Sequence, residues 1–318
     1  MSELHKFIFE GLPVRGLLVR LTDAWTEILA RRTAQPYAQP VQHLLGEMLA
    51  AGVLMQSNIK FDGALILQVF GDGPVKVAVV EVQSDLSLRA SATIRGEVSE
   101  QALLGDLVNL HGMGRCAITL DPKSRLPGQQ PYQGVVSLVD GEQRKLESMA
   151  QALQHYMRQS EQLETTLVLA ADDQVAAGLL IQRMPTLGNR NLQTQSAEEL
   201  DEHYQRIAIL AASLRREELL TLDVETVLRR LFWQEKLQRL ESLQGDRGPR
   251  FACTCSSQRV ANMIRGLGAQ EAQDILAERG SIEVSCEFCG AHYRFDRVDV
   301  GQLFTTVEDL PPSSDAVQ

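Results

Sequence analysis

The chain has 318 residues and five cysteines. Four of these fall into two close pairs, Cys253-Thr254-Cys255 and Cys286-Glu287-Phe288-Cys289, with thirty residues between them. Thiolates are soft ligands, and two close pairs joined by a loop can converge tetrahedrally on one Zn²⁺ per reduced chain. Gly290 follows the last cysteine directly and supplies the residue without Cβ that a tight knuckle turn commonly needs. Four incidental thiols are the poorer account, because paired spacing points to metal or thiol chemistry. His292 lies three residues past Cys289, but four thiolates already close a structural site, so it reads as a surface or packing histidine. The segment Arg250 to Asp296 offers few large apolar residues, among them Phe251, Val260, Ile264, Leu267, Ile275, Leu276, Val284, Phe288, Tyr293 and Phe295. Units this small rarely stabilise themselves by burial alone, so a metal is expected to carry the fold. Each pair could also close a local disulfide on oxidation, which would remove its ligands. Spacing alone favours permanent structural zinc and leaves the redox switch open.

Little else in the chain suggests chemistry. Cys116 sits in the apolar run RCAITL and reads as a buried, inert thiol. Gly112-Met113-Gly114 lacks the Lys-Ser/Thr ending of a phosphate loop, no G-x-S-x-G occurs, and Asp62 and Asp72 read as turn residues. The expectation is a protein that is not an enzyme. The balance of 31 Lys+Arg against 41 Asp+Glu gives a net charge of −10, which opposes attraction to nucleic acid or anionic membrane. A zinc ribbon that binds nucleic acid or serves transcription is the alternative, yet Arg250 to Asp296 carries five Arg against six acidic residues. No apolar run approaches a membrane span and the N-terminus lacks the order of a signal peptide, so a cytoplasmic protein is expected.

The elements that must position the cysteines follow from periodicity. Residues 1–185 alternate strand-like runs with amphipathic helices. Strands are expected at Gly16 to Leu21, Ala64 to Phe70, Val75 to Val82, Leu88 to Ile94, Arg115 to Leu120, Gly134 to Val139, Thr166 to Ala170 and Leu179 to Met184. The GDGP turn, Gly71 to Pro74, joins two of them as a hairpin. Helices are expected near Asp23 to Arg31, from Pro40, and over Gly141 to Leu163. Residues 186–248 read as an all-helical linker. Its first stripe, Leu200, Tyr204, Ile207, Leu210, Ala211 and Leu214, starts from a capping box at Ser196 and Glu199; the second, Val224, Val227, Leu228, Leu231, Phe232, Leu240 and Leu243, follows Asp223 as N-cap. Residues 249–296 form the zinc module, and 297–318 a tail disordered at least from Leu310. The fold class is α+β: a mixed sheet-and-helix domain, a helical linker and a small zinc-binding module.

With these residues in hand, the sequence resembles the thirty-three-kilodalton heat-shock chaperonin family. The resemblance rests on CTCS at Cys253 to Ser256, CEFCGAHYRF at Cys286 to Phe295, VRG at Val14 to Gly16, KFDG at Lys60 to Gly63, GDGP, YQGVV at Tyr132 to Val136 and SEQL at Ser160 to Leu163. Glu164 stands where that family usually has proline after SEQL. The resemblance implies a redox-regulated holdase that works without ATP in the bacterial cytosol. It further implies an inactive zinc-bound reduced form, disulfides Cys253–Cys255 and Cys286–Cys289 on oxidation, and loss of zinc with unfolding of the linker. The active form, a homodimer, would then hold unfolding client proteins. On this reading Leu200, Tyr204, Ile207 and Leu210, with Val227, Leu228, Leu231 and Phe232, lie on the core domain and cover its client surface.

Overall fold

The computed structural model describes residues 1–32, 35–124, 128, 130–185 and 196–304. The chain divides into two compact units, Met1–Ala252 and Cys253–Gln318.

The first unit opens with β1 (Glu3–Phe9), β2 (Val14–Leu21), α1 (Asp23–Ala30) and α2 (Gln39–Asn58). A run of strands follows, β3 (Gly63–Phe70), β4 (Val75–Gln83) and β5 (Ser87–Ile94), then α3 (Leu104–Val108), β6 (Arg115–Pro122), β7 (Tyr132–Ser137), α4 (Met149–Gln159), β8 (Thr165–Ala171) and β9 (Ala176–Arg183). Next come α5 (Ala197–Ala212), α6 (Arg216–Thr221) and α7 (Val224–Phe232), and finally β10 (Leu237–Gln244) and β11 (Arg250–Phe251). The strands form a five-stranded sheet in the order β10-β1-β2-β9-β8 and a six-stranded sheet in the order β11-β5-β4-β3-β6-β7. The GDGP turn does join an antiparallel pair, β3 with β4.

Helix α2 is apolar nearly all round, the signature of a helix enclosed on every side. It packs against β2, β8 and β9 of one sheet and against β3, β4 and β5 of the other. Because side chains alternate across a strand, the five-stranded sheet divides its apolar residues between two faces. Leu4, Leu17, Val19, Leu21 and Leu180 join the core around α2. Phe7, Phe9, Val14, Leu18, Leu179 and Ile181 point the other way and are buried under α5–α7.

Three sequence expectations need correction. The N-terminal segment, outside the expected strands, forms β1, paired with β2 on one side and β10 on the other. The helix expected from Gly141 to Leu163 spans only α4, because Ser148 caps it by accepting a bond from Gln151 N and the preceding residues turn back in a bridge between Val139 and Lys145. The linker is not all helical. Its second stripe ends with α7, and Leu240 and Leu243 lie in β10, paired antiparallel with β1.

The second unit contains α8 (Ser257–Leu267), α9 (Ala269–Arg279), the hairpin β12 (Ile282–Ser285) and β13 (His292–Phe295), and α10 (Arg297–Phe304). Among the described residues its buried core comprises Val260, Ala261, Ile264, Ala272, Leu276, Ile282, Phe295 and Val300. Helix α10 contributes Val300 where the sequence suggested the start of a tail; the disorder expected from Leu310 lies outside the described residues. Phe251, expected in this core, instead belongs to the first unit, where the Arg31 guanidinium stacks over its ring at 4.3 Å.

Gly16 shows how tightly the outer face of the five-stranded sheet is made. It pairs with Phe7, and a Cβ built there would lie 2.2 Å from that ring. Both strands are held by neighbours on either side, so neither can shift cheaply. Gly16→Ala should therefore destabilise the first unit by about 1–3 kcal/mol, read as a lowered urea midpoint with an unchanged slope.

Candidate metal centre and the linker interface

Cys253 and Cys255 lie in extended chain just before α8, and Ser256 ends that segment as N-cap, accepting a hydrogen bond from Arg259 N at 3.2 Å. The Arg259 side chain turns back and donates to Thr254 Oγ1 at 2.6 Å, tying the residue between the two cysteines to the helix. On the opposite side Cys286 follows β12. The turn to Cys289 is closed by Gly290 N donating to Cys286 O and by Cys286 N donating to Ala291 O, both at 2.8 Å. Gly290 has φ +71°, a left-handed conformation that glycine adopts without steric penalty.

The four sulfurs meet. Cys253 Sγ lies 3.7 Å from Cys286 Sγ and Cys255 Sγ lies 3.3 Å from Cys289 Sγ, with all four ligand atoms within 4.8 Å of one another. These separations fit a tetrahedral thiolate site, whose sulfur–sulfur edge is about 3.8 Å when each sulfur lies ~2.3 Å from a central ion. None of the four cysteines is joined in a disulfide, and all are half-buried. This donor set and geometry suit a soft divalent cation held by Cys253, Cys255, Cys286 and Cys289.

The cluster is electrostatically uneven. The Tyr293 hydroxyl donates to Cys255 Sγ at 3.0 Å and holds that thiol down, to about 7 from an ordinary 9.0. Burial acts the other way on Cys289 and pushes it well up. In the sequence Tyr293 stands out only by its apolar bulk, because its approach to Cys255 depends on the register that pairs it with Val284. His292 is exposed, its Nδ1 within 2.7 Å of Ser285 Oγ, and is not among the four ligands. Cys116 is fully buried in β6, and burial pushes its thiol up to about 12.

The linker residues have a second role in the first unit. Tyr204, Ile207, Val227, Leu228, Leu231 and Phe232 all enter the cluster that covers the sheet's outer face. Leu210 packs partly buried against it, while Leu200 is buried without joining it. Phe232 meets Phe9 edge-on at 5.1 Å and Phe7 at 6.2 Å. Three arginines of unobtrusive sequence context add polar ties. Arg20 Nη1 donates to the carbonyls of Leu219, Leu220 and Leu222, at 3.2, 2.9 and 2.9 Å. Arg183 Nη1 bridges Glu164, the residue in the usual proline position, at 2.9 Å and Asp201 of α5 at 2.8 Å. Arg216 of α6 donates to the Ala171 carbonyl and lies 3.2 Å from His43 Nε2. Among the described residues no helix is long and apolar enough to cross a membrane.

Comparison with known proteins agrees with this arrangement. The family model described as Hsp33 protein matches residues 2–296. A 33 kDa chaperonin of Chromobacterium violaceum is 43% identical over 306 residues, covering 95% of this chain and 94% of the relative. One from Methylobacillus flagellatus is 41% identical over 315 residues, covering 99% and 98%. The crystal structure of the 33 kDa chaperonin (heat shock protein 33 homolog) of Thermotoga maritima shares the fold, with a TM-score of 0.72 at 21% identity over 95% of this chain and 97% of that one.

Two outcomes follow from the site. Cys116→Ser should retain one metal equivalent per reduced chain by elemental analysis, while Cys286→Ser should lose it.

Proposed function

The chain belongs to the Hsp33 protein family of heat-shock chaperones, and from that premise we propose that it is a redox-regulated holdase of the cytoplasm, working without ATP. The four-cysteine cluster carries this reading: a unit with so small a buried core depends on those sulfurs for its fold. The ion is zinc, one per reduced chain. When bound by four thiolates, zinc supplies folding free energy of ~10–16 kcal/mol in small peptides at neutral pH.

Oxidation converts the ligands. One thiolate attacks hydrogen peroxide, breaking its O–O bond to give a sulfenic acid and hydroxide, and the neighbouring thiol then displaces the sulfenic oxygen as water to form the disulfide. Each pair thereby loses two electrons to one peroxide. In the reduced cluster Cys253 Sγ lies 3.7 Å from Cys286 Sγ and Cys255 Sγ 3.3 Å from Cys289 Sγ, across the two pairs. Once the cluster opens, chain proximity governs the choice and favours Cys253–Cys255 and Cys286–Cys289. With its ligands oxidised the module unfolds and the linker loses its anchor. Short helices with charged outer faces have little stability of their own, so α5–α7 leave the sheet. Leu200, Tyr204, Ile207, Leu210, Val227, Leu228, Leu231 and Phe232 separate from the face they cover, and the exposed apolar surface binds unfolding clients and a second subunit.

The test compares suppression of aggregation of a denatured protein before and after peroxide treatment, with zinc release followed in parallel and disulfides mapped by peptide analysis. Activity and zinc release should rise together; an unchanged activity would overturn the redox reading, and dominant links between the two pairs would overturn the pairing. Ile207 and Leu231 of the linker are almost fully buried against the outer face of the five-stranded sheet. Ile207→Ser or Leu231→Ser should weaken that cover by about 2–5 kcal/mol and give chaperone activity with zinc bound and all four thiols reduced. Inactive variants whose hydrogen exchange nevertheless shows an open linker would exclude uncovering as the switch.

A further inference from the structure

The segment from Leu237 to Ala252 closes one edge of each sheet in the first unit. Strand β10 lies along β1, the otherwise open border of the five-stranded sheet, and β11 pairs in parallel with β5 at the border of the six-stranded one. An open strand edge offers a row of unpaired N–H and C=O groups to any other extended chain.

This strap is held weakly for its length. Of the eight β10 side chains only Leu237 and Leu243 are even partly buried, each against a different core, and the other six are exposed. Its attachment is thus mainly main-chain bonding, extended by Glu10 N donating to Lys236 O at 2.9 Å. The register slips between His5 and Phe7, which locally disrupts the ladder. Strand β11 has two residues, with Arg250 N bonded to Leu86 O at 3.2 Å and Ala252 N to Leu88 O at 3.1 Å. The next residue is Cys253, the first of the four ligands. Beneath the strap, β1 is firmly built, with Leu4, Phe7 and Phe9 fully or almost fully buried.

We infer that the outer edge of β1 binds an extended segment of an unfolding protein by strand addition once the strap has left. The inference rests on the holdase reading and specifies how a client is held. Strand β10 already occupies this edge along its backbone, with side-chain ties limited to the packing of Leu237 and Leu243, Arg239 on Glu225 and over the Phe7 ring, and Gln244 on Glu3, so the edge accepts a chain chiefly through main-chain bonds. Main-chain bonding of this kind gives affinity with little demand on sequence, which suits clients that share an unfolded backbone and no motif.

The test frees the edge without oxidation. Leu237→Asp/Leu243→Asp removes both apolar anchors of β10, and a second variant replaces residues 237–244 by a Gly/Ser run of equal length, should the first fail to fold. Each reduced protein is offered an eight-residue Val/Thr peptide and the same peptide N-methylated at two adjacent central amides, which blocks both of its edges while keeping its side chains. At least tenfold tighter binding of the unmethylated peptide is expected, with at least tenfold slower exchange of amides within Glu3–Phe9, and no binding to the reduced wild type. Equal affinity for the two peptides, or protection confined to residues outside β1, would overturn the inference. So would β1 protection without peptide that follows protein concentration, since that assigns the edge to a second copy. Failure of the oxidised wild type to suppress aggregation would overturn the redox reading alone, because the peptide experiment uses reduced protein.

Discussion

A β-sheet that is apolar on both faces has to be covered twice, and the architecture of the first unit answers that requirement. Alternation along β1, β2 and β9 sends Leu4, Leu17 and Leu180 to one side and Phe7, Leu18 and Ile181 to the other. The inner cover is α2, enclosed between the sheets and inseparable from the core. The outer cover is α5–α7, three short helices whose charged faces meet solvent. The two covers are thus separate: no residue of α5–α7 enters the hydrophobic centre around α2.

The metal centre follows the opposite logic. In the second unit burial is scarce, and sulfur ligation supplies what apolar area does not. Two turns, one braced by Arg259 on Thr254 and the other closed around Gly290, bring the four sulfurs within range of one another. The unit's stability is therefore concentrated in four atoms that share one chemical vulnerability. In the first unit, by contrast, stability is distributed over dozens of side chains that an oxidant does not touch.

Local patterns were legible wherever a local cause decides the outcome. Strands β2 to β9 could be read from apolar runs and turn residues, the α5 capping box from Ser196 and Glu199, and the four-cysteine cluster from spacing. The failures have nonlocal causes. Leu237, Leu240 and Leu243 recur every three residues and satisfy a helical period, yet pairing with β1, more than two hundred residues earlier, makes the segment a strand. Residues 141–147 carry enough helical character to extend the pattern of α4 backwards, and the Ser148 cap with its bridge stops it. Tyr293 was visible only as bulk, because its hydrogen bond to Cys255 exists through hairpin register, which no spacing of residue types encodes.

Five is an awkward number of thiols for a protein read as passing through two disulfides, because any spare thiolate can attack a finished bond and reshuffle it. Cys116 cannot play that part. It lies fully buried within β6, between Val69 of β3 and Val136 of β7 in the ladder, with its thiol held protonated. Locked into the first unit, it is withdrawn from exchange. Burial of one sulfur makes an odd set chemically even, and on the redox reading leaves no spare thiol to reshuffle the two bonds.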